Sequence, residues 1–298
     1  MEETVSSIKD RQRAAARARL EKEMSERATA ARKRRQRQAI IGSALAIVVI
    51  AGVAFFVVQA MKDDDSTEAA APGASTAAST PASAKPAPAG TAACTWTPEE
   101  ATPGGSLVKD TGGLPPEFAP NTGKATLTMD TSLGKIVAAV DKSKSPCTAA
   151  AFEYLASKNF WDNTKCHRLT TEGIKVLQCG DPTATGDGYR PTDGTGGPNF
   201  KFGEENLPTT AQGSLYPAGT LAMAKMRDPG TTGSQFFLVY EDIPAEALPP
   251  QYTILGSITS GLDIVKKVAQ GGTDDANQPG DGHPKTEINI KDLTLAAA

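Results

Sequence analysis

Hydrophobic and polar positions divide this chain into segments with clearly different patterns. Residues 39–61 form an unbroken apolar run in which Gln59 is the only strongly polar side chain. Residues 62–93 are rich in Ala, Pro, Ser and Thr and contain no aromatic residue, a composition that cannot build a core. From Lys124 onward, short stretches alternate apolar and polar residues, which indicates β-strands.

Within the alternating part, "KATLTMD" and "KIVAAVD" flank the turn "TSLG" and predict a β-hairpin. "SPCTAAAFEYLASKNF" predicts a helix with Ser145 as N-cap and Pro146 at the first helical position. "GLDIVKKVAQGG" predicts a second short helix that ends in glycines. Many short strands with two isolated helices predict an antiparallel barrel or sandwich capped by helices, rather than a βαβ array.

The apolar run 39–61 is long enough to be a transmembrane helix. Its 23 residues span a hydrocarbon core of about 30 Å at about 1.5 Å per residue. A buried core helix would show a polar face, and this run shows none. A cleaved signal peptide would have a shorter leader than these 38 residues, followed by a small-residue cleavage site. We therefore predict a single uncleaved span that contacts the lipid bilayer.

The charge distribution predicts how this span is oriented. Residues 1–38 carry twelve Lys and Arg against six Asp and Glu, whereas the rest of the chain carries 19 basic and 28 acidic residues. Because positive charge is retained on the cytoplasmic side, we predict a cytoplasmic basic helical segment (1–38) and an extracytoplasmic remainder at the cell membrane. Residues 62–93 then form a disordered linker. The basic segment serves as a topology signal, and we expect no nucleic-acid partner.

The cysteines support export of the part beyond the span. All four of them follow residue 61: Cys94, Cys147, Cys166 and Cys179. An even number confined to an exported region predicts two disulfides, for which three connectivities exist. No C-x-x-C motif occurs, and His167 and His283 are the two histidines, so we predict no metal site.

Three motifs carry a family resemblance. "FWDNTKCHRL" (160–169), "VLQCGD" (176–181) and "LAMAKMRDPGTTGSQFFLVY" (221–240) resemble the cyclophilins in order and spacing, from about Thr122 to Leu295. The cyclophilins are peptidyl-prolyl cis/trans isomerases. The resemblance implies a mainly β fold, a closed eight-stranded antiparallel barrel capped by two helices, at residues 122–298. It also implies a monomeric catalytic domain without a cofactor, preceded by a Pro/Gly-rich extension (94–121) packed on the barrel.

The chemistry of such a site is electrostatic rather than covalent. An X–Pro bond isomerises across a barrier of about 18–20 kcal/mol because amide resonance must be broken. A cationic donor aimed at the prolyl nitrogen stabilises the twisted state, and arginine suits this task because it stays charged. By resemblance, Arg168 is that donor, and Gln178 helps to hold both Arg168 and the substrate carbonyl.

The resemblance also assigns substrate-binding residues. Phe237 forms the floor of a proline pocket, Gln235 bonds the substrate backbone, and Leu248 and Tyr252 line the pocket. The backbone of Ala224, Lys225 and Met226 pairs with the bound peptide like an added strand. Lys175 and Val176 take the place of a Phe-Met pair that is common in the family. Because residues 170–175 contain two extra positions, Ile174 is the alternative occupant of the aromatic position.

Two further expectations follow from the resemblance. Cys166 and Cys179 face each other on one hairpin and are expected to pair, so that Cys94 joins Cys147 and fastens the extension to the barrel; four buried free thiols are the alternative. The expected function is isomerisation of X–Pro bonds in exported or envelope proteins as they fold. The alternative is a chaperone or scaffold module that binds proline-containing segments with weak or no turnover.

Overall fold

The fold was analysed in a computed structural model that describes residues 86–101, 107–209 and 214–298. The predicted basic segment, the predicted span 39–61 and most of the predicted linker lie outside these ranges. No helix inside the ranges has the length and hydropathy of a membrane span.

Two helices and 18 strands occur in the described ranges. The helices are α1 (Pro146–Ala156) and α2 (Leu262–Gln270). The strands are β1 Thr91–Ala93, β2 Thr97–Pro98, β3 Leu107–Lys109, β4 Phe118–Pro120, β5 Lys124–Thr131, β6 Gly134–Asp141, β7 Thr164–Lys165, β8 Arg168–Thr170, β9 Val176–Cys179, β10 Gly196–Pro198, β11 Phe200–Lys201, β12 Ser214–Tyr216, β13 Thr220–Met223, β14 Phe236–Val239, β15 Ile243–Pro244, β16 Ile254–Ser260, β17 Asp281–Gly282 and β18 Asn289–Ala297. The mainly β composition and the two helices agree with the sequence prediction.

Ten strands form one antiparallel sheet in the order β17-β8-β9-β14-β13-β16-β6-β5-β18-β7. The predicted hairpin is its longest pair, with Lys124 opposite Asp141 and Thr131 opposite Gly134. On β5, buried residues alternate with partly exposed ones, because successive side chains of a strand point to opposite faces.

The prediction of a closed eight-stranded barrel was wrong, because ten strands form a curled sheet that does not close into a barrel. Strand β7 forms one edge of the sheet, and β8 is the second strand from the opposite edge. Both belong to one run of chain, which is interrupted at Cys166 and His167. There the pairing changes sides: the Cys166 amide donates to Ile288 O at 3.1 Å, and the His167 amide donates to Gln178 O at 3.0 Å. The part of this run before the interruption, β7, pairs with β18, and the part after it, β8, pairs with β9. The sheet therefore curls, but no continuous hydrogen-bond ladder closes it.

The concave side of the sheet is filled by apolar side chains, with α1 packed against them. Phe152 and Leu155 of α1 are fully buried. The Phe152 ring lies 4.9 Å from Trp161 and 5.8 Å from Phe236, measured between ring centroids. A second, smaller apolar cluster on the other face of β14 includes Phe237 and Leu248. This second cluster supports the candidate site described below.

The N-terminal extension is paired to the domain at several points. Its first strand, β1, begins at Thr91, inside the range predicted as linker, and pairs with β4, which belongs to the extension itself. Strand β2 pairs with β11, and β3 pairs in parallel with β10. The disulfide Cys94–Cys147 joins the extension to α1, with Cα atoms 5.5 Å apart. The predicted pairing of these two cysteines is confirmed.

Removing this disulfide is expected to loosen the extension selectively. The bridge closes a loop of 53 residues, and a crosslink of that size stabilises by about 2–4 kcal/mol. The Cys94→Ser/Cys147→Ser variant should therefore unfold at lower urea concentration. Its Trp96 fluorescence should change first, because the indole ring packs on Phe200 and Phe202 at centroid distances of 5.5 and 5.4 Å. An unchanged midpoint, or a single transition shared with Trp161, would contradict this assignment.

Candidate functional site

An arginine–aspartate ion pair lies at one end of the sheet. Arg168 of β8 donates from Nε to Asp281 Oδ1 at 2.8 Å and from Nη2 to Asp281 Oδ2 at 2.7 Å. Strand β17, which carries Asp281, pairs with β8 and places the carboxylate beside the guanidinium. Asn277 Nδ2 also donates to Asp281 Oδ1, at 3.0 Å. The carboxylate is therefore held in place from two sides.

A chain of amide hydrogen bonds continues from this ion pair. Arg168 Nη1 donates to Gln178 Oε1 at 3.3 Å, and Gln178 Nε2 donates to Gln235 Oε1 at 2.9 Å. Gln235 Nε2 in turn donates to the carbonyl oxygens of Gly194 and Gly196 at 2.9 and 2.8 Å. Both hydrogens of the Gln235 amide are thus used within the protein. In this structure Gln235 fixes the orientation of Gln178 and has no free donor left for the backbone of a substrate.

The bonding leaves part of the guanidinium available. An arginine carries five N–H donors in a rigid planar fork. Three of the Arg168 donors are bonded to Asp281 and Gln178, so one N–H on each terminal nitrogen remains. About a third of the Arg168 side chain, 35%, is exposed.

The exposed part of Arg168 borders a small slot in which most lining residues are apolar, although polar and apolar atoms share its surface about equally. This slot has a volume of about 160 Å³. It is lined by Arg168, Ile174, Val176, Gln178, Ala224, Lys225, Phe237, Leu248 and Tyr252. Eight of the predicted site residues therefore come together around one cavity, and Ile174, the alternative occupant of the aromatic position, lies there as well.

Strand alternation shapes the floor of the slot. Phe236 and Phe237 are neighbours on β14 and point to opposite faces, so Phe236 joins the main core while Phe237 lies under the slot. Tyr252 stands edge-on to Phe237, with ring centroids 5.8 Å apart. Tyr216 fixes this wall, because its hydroxyl accepts a hydrogen bond from the Tyr252 amide at 3.1 Å.

Lys175 does not lie in the slot, contrary to the sequence prediction. Its ammonium donates to Thr171 O, and its side chain lines a separate depression together with Tyr240 and Lys266. Residues on either side of it, Ile174 and Val176, face the slot, which is the alternation expected of an extended chain. The aliphatic side chains of Ile174 and Val176 thus lie where the resemblance to the cyclophilins implies a Phe-Met pair.

A second cavity of about 370 Å³ adjoins the slot. The two cavities share Gln178, Ala224 and Lys225. Gln235 and Met226 line the second cavity rather than the slot, and Met226 is 51% exposed. The Lys225 ammonium lies 3.6 Å from Glu204 Oε1 and also contacts backbone oxygens of the next three residues. Its charge is therefore already partnered within the protein.

His167 lies directly behind Arg168 and is 4% exposed. Burial lowers the pKa of His167 to about 4, although Asp181 and Asp193 oppose the shift. Neither ring nitrogen has a hydrogen-bond partner in the described part of the chain. Gly194 packs closely on this ring, since a Cβ there would lie 3.0 Å from His167 Cδ2, and its φ of +93° also favours glycine. The imidazole is thus a neutral packing element at neutral pH.

The second disulfide flanks the site residues. Cys166 precedes Arg168 by two positions, Cys179 directly follows Gln178, and the two cysteines are bonded with Cα atoms 4.0 Å apart. The predicted pairing is confirmed. Within the described ranges, no group of three or more His, Cys, Asp or Glu side chains is arranged to hold a metal ion.

Two functional-site neighbours were missed by the sequence analysis, namely Asp281 and Lys201. Asp281 lies 113 residues from Arg168 along the chain, and nothing in its local sequence "GDGHP" marks it as a partner. Lys201 lines the second cavity. Only its position after "GTGG" (194–197), where the cyclophilins carry a similar loop, would have drawn attention to it.

Comparisons with known proteins extend these observations. The family model described as "Cyclophilin type peptidyl-prolyl cis-trans isomerase/CLD" matches residues 126–295. A probable peptidyl-prolyl cis-trans isomerase B of Mycobacterium leprae is 46% identical over 177 residues, covering 56% of this chain and 55% of the relative. Its counterpart from Mycobacterium tuberculosis (strain ATCC 25618 / H37Rv) is 40% identical over 197 residues, covering 60% and 59%.

A more distant relative is covered more completely. A peptidyl-prolyl cis-trans isomerase of Arabidopsis thaliana is 32% identical over 168 residues, which is 56% of this chain and 88% of the relative. The chain therefore spans most of the plant protein, but little more than half the length of the two mycobacterial relatives.

The ion pair predicts an acid dependence of stability. The hydrogen bond from Arg168 lowers the pKa of Asp281 below its ordinary value of 3.8. A lowered folded-state pKa adds stability above the unfolded-state pKa, and that stability is lost as the pH falls through the folded-state pKa. Asp281→Asn should therefore reduce the unfolding free energy at neutral pH, and its difference from the wild type should shrink below pH 3.8.

The matched control is Asp275→Asn in the same loop. Asp275 accepts a hydrogen bond from the Gly280 amide and does not contact Arg168. Its φ of 59° is one that asparagine tolerates. Urea unfolding measured from acid to neutral pH decides the matter. A difference between Asp281→Asn and wild type that does not change with pH would rule out the ion pair as its cause.

Proposed function

Because the chain belongs to the family of cyclophilin-type peptidyl-prolyl cis-trans isomerases, we propose that its domain at 122–298 isomerises X–Pro bonds. The observation that carries this proposal is the Arg168 guanidinium, which is fixed by Asp281 and Gln178 at the wall of an apolar slot above Phe237. The chemistry needs no cofactor, since no covalent bond is made or broken.

Catalysis follows from where the remaining donors of Arg168 lie. During rotation about the X–Pro bond the amide loses resonance, and the prolyl nitrogen gains a localised lone pair. An N–H of Arg168 that faces the slot stabilises this lone pair more than it stabilises the planar ground state, which is the condition for catalysis. Each gain of about 1.4 kcal/mol in the twisted state is a tenfold gain in rate. Asp281 and Gln178 contribute by fixing the guanidinium plane before the substrate binds.

The substrate is held by the walls of the slot and by the neighbouring backbone. The proline ring enters the slot against Phe237 and Leu248, which are 6% and 7% exposed. The segment 224–226 follows the end of β13; Ala224 and Lys225 line both cavities, and Met226 lines the second one. We place the extended peptide along this segment, where it pairs in the manner of an added strand. One half of the substrate then moves while the other stays fixed.

The proposed clients are X–Pro segments of exported proteins. Two disulfides in the domain suit an oxidising compartment outside the cytoplasm. The apolar run 39–61 and the basic residues before it support a single-pass protein with a cytoplasmic N-terminus. Proline isomerisation is slow enough to limit folding, so an isomerase tethered at the membrane would act on chains as they emerge.

A binding module with little turnover is the second candidate. The observation that favours it is the aliphatic wall of the slot, where Ile174 and Val176 stand in place of the family's Phe-Met pair. Such a wall offers the substrate less aromatic contact. Binding of a proline peptide without faster exchange between its cis and trans forms would select this function, and exchange measured by NMR separates the two cases.

Replacing Arg168 tests the mechanism directly. Arg168→Ala should lower kcat/KM for a proline peptide on the order of a hundredfold, the usual effect of losing a donor that acts in the transition state. Arg190→Ala is the matched control, because Arg190 pairs with Asp193 at 2.9 Å and does not line the slot. Circular dichroism checks that both variants fold. Wild-type turnover by folded Arg168→Ala would eliminate the proposed role.

Protease accessibility tests the proposed topology. In right-side-out membrane vesicles, added protease should cut the linker at 62–93 and release the disulfide-bonded domain, while residues 1–38 stay protected. Inverted vesicles should give the opposite pattern, and detergent should abolish protection in both. Release of the domain from inverted vesicles alone would show that the orientation is reversed.

A further inference from the structure

A lysine side chain occupies the second cavity beside the proline slot. Lys201 ends the two-residue strand β11 and is one of the residues that line this cavity. Its ammonium lies between two glycines: a Cβ built on Gly197 or on Gly233 would be 3.3 Å from Lys201 Nζ. Both glycines also line the cavity, so the absence of their side chains leaves space around the charge.

Within the part of the chain that the structure describes, the Lys201 charge has no close partner. Among the described residues, its ammonium makes no hydrogen bond and no ion pair within 4.0 Å, and Glu99 acts on it only from a longer distance. Burial lowers the pKa of Lys201, which reflects the cost of holding the charge away from water. Lys225, which lines the same cavity, is by contrast bonded to Glu204 and to backbone oxygens.

The other walls of the cavity are compatible with an anion. None of the described residues that line it is acidic, and they are mostly glycines and uncharged polar residues. Among the described residues, a carboxylate entering the cavity would therefore meet one unneutralised cation and no acidic lining residue. Charge-assisted hydrogen bonds of this kind are among the stronger ones in proteins.

We propose that this second cavity binds an acidic side chain of the substrate, and that Lys201 determines that preference. The inference rests on the proposed isomerase function and names the class of substrate: proline segments that carry an aspartate or glutamate close to the proline.

The shared walls indicate where the acidic residue lies. The slot and the second cavity have Gln178, Ala224 and Lys225 in common, so they open on the same side of the peptide. Alternate residues of an extended peptide point to the same side. The residue that enters the second cavity when proline occupies the slot is therefore two positions away from the proline.

Paired peptides test this inference on the wild-type chain. Two pairs differ only in Glu against Gln, placed two residues before the proline in one pair and two residues after it in the other. In one pair, we expect the Glu peptide to have a kcat/KM and an affinity roughly tenfold higher, as a charge-assisted hydrogen bond gives. Added salt should reduce the ratio, because it screens partly exposed charges.

Variants then assign the preference to Lys201. Lys201→Met keeps the length of the side chain and should bring the Glu-to-Gln ratio close to one, whereas Lys266→Met, at a lysine that lines neither of the two cavities, should keep the wild-type ratio. Lys201→Gln provides a second neutral variant if the methionine variant fails to fold. Since only ratios are compared, a general loss of activity in a variant does not affect the conclusion.

The outcomes separate this inference from the proposed function. If both peptides of each pair are turned over equally by the wild type, the acidic preference is wrong and the isomerase function stands. If Lys201→Met keeps the wild-type ratio, Lys201 is not the determinant. If no peptide is turned over, the isomerase function fails. The affinities measured by NMR titration then still decide whether an acidic residue is preferred, and equal affinities within both pairs would overturn the inference.

Discussion

The site depends on keeping one guanidinium charged and fixed beside an apolar slot. Bringing a cation into a partly desolvated position is costly unless an opposite charge accompanies it. Asp281 supplies that charge and bonds two of the guanidinium nitrogens. If more acceptors surrounded the Arg168 guanidinium, all five of its N–H donors would be bonded. Here the bonds to Asp281 and Gln178 leave one N–H donor on each terminal nitrogen. The pair thus compensates the charge and still leaves guanidinium donors without a partner among the described residues.

Sheet register brings the members of this site together from three distant parts of the chain. Arg168 lies opposite Gln178, Gln178 lies opposite Phe237, and Asp281 is carried by the strand on the other side of β8. A shift of one residue in any pair would turn these side chains to the opposite face. The disulfide Cys166–Cys179 joins the interruption before β8 to the last residue of β9, next to the site residues. It therefore fixes the register at the point where the sheet itself is least continuous.

Local patterns in the sequence predicted the parts of the structure that depend on near neighbours. The hairpin β5–β6 follows from alternation and the two helices follow from their start and stop residues, whereas the roles of Arg168 and Gln178 came from the family resemblance. Lys175 was misplaced because two extra residues obscure which of residues 174–176 face the slot, and only the backbone path resolves that. Asp281 was missed because ion pairs across a sheet leave no trace in local sequence. Barrel closure was predicted wrongly because it depends on one interrupted strand, which changes partners at Cys166.

The extension before the family domain also supports the wall of the second cavity. It lies outside the region 126–295 that the family model matches, yet two of its strands pair with the segments that line the second cavity. Thr97 lies opposite Lys201, and the parallel strand β3 pairs with Gly196–Pro198. Because the carbonyls of Gly194 and Gly196 also orient Gln235, the extension is linked through this wall to Gln178 and Arg168. The Cys94–Cys147 bridge holds the extension against α1, so this crosslink contributes to the shape of the second cavity.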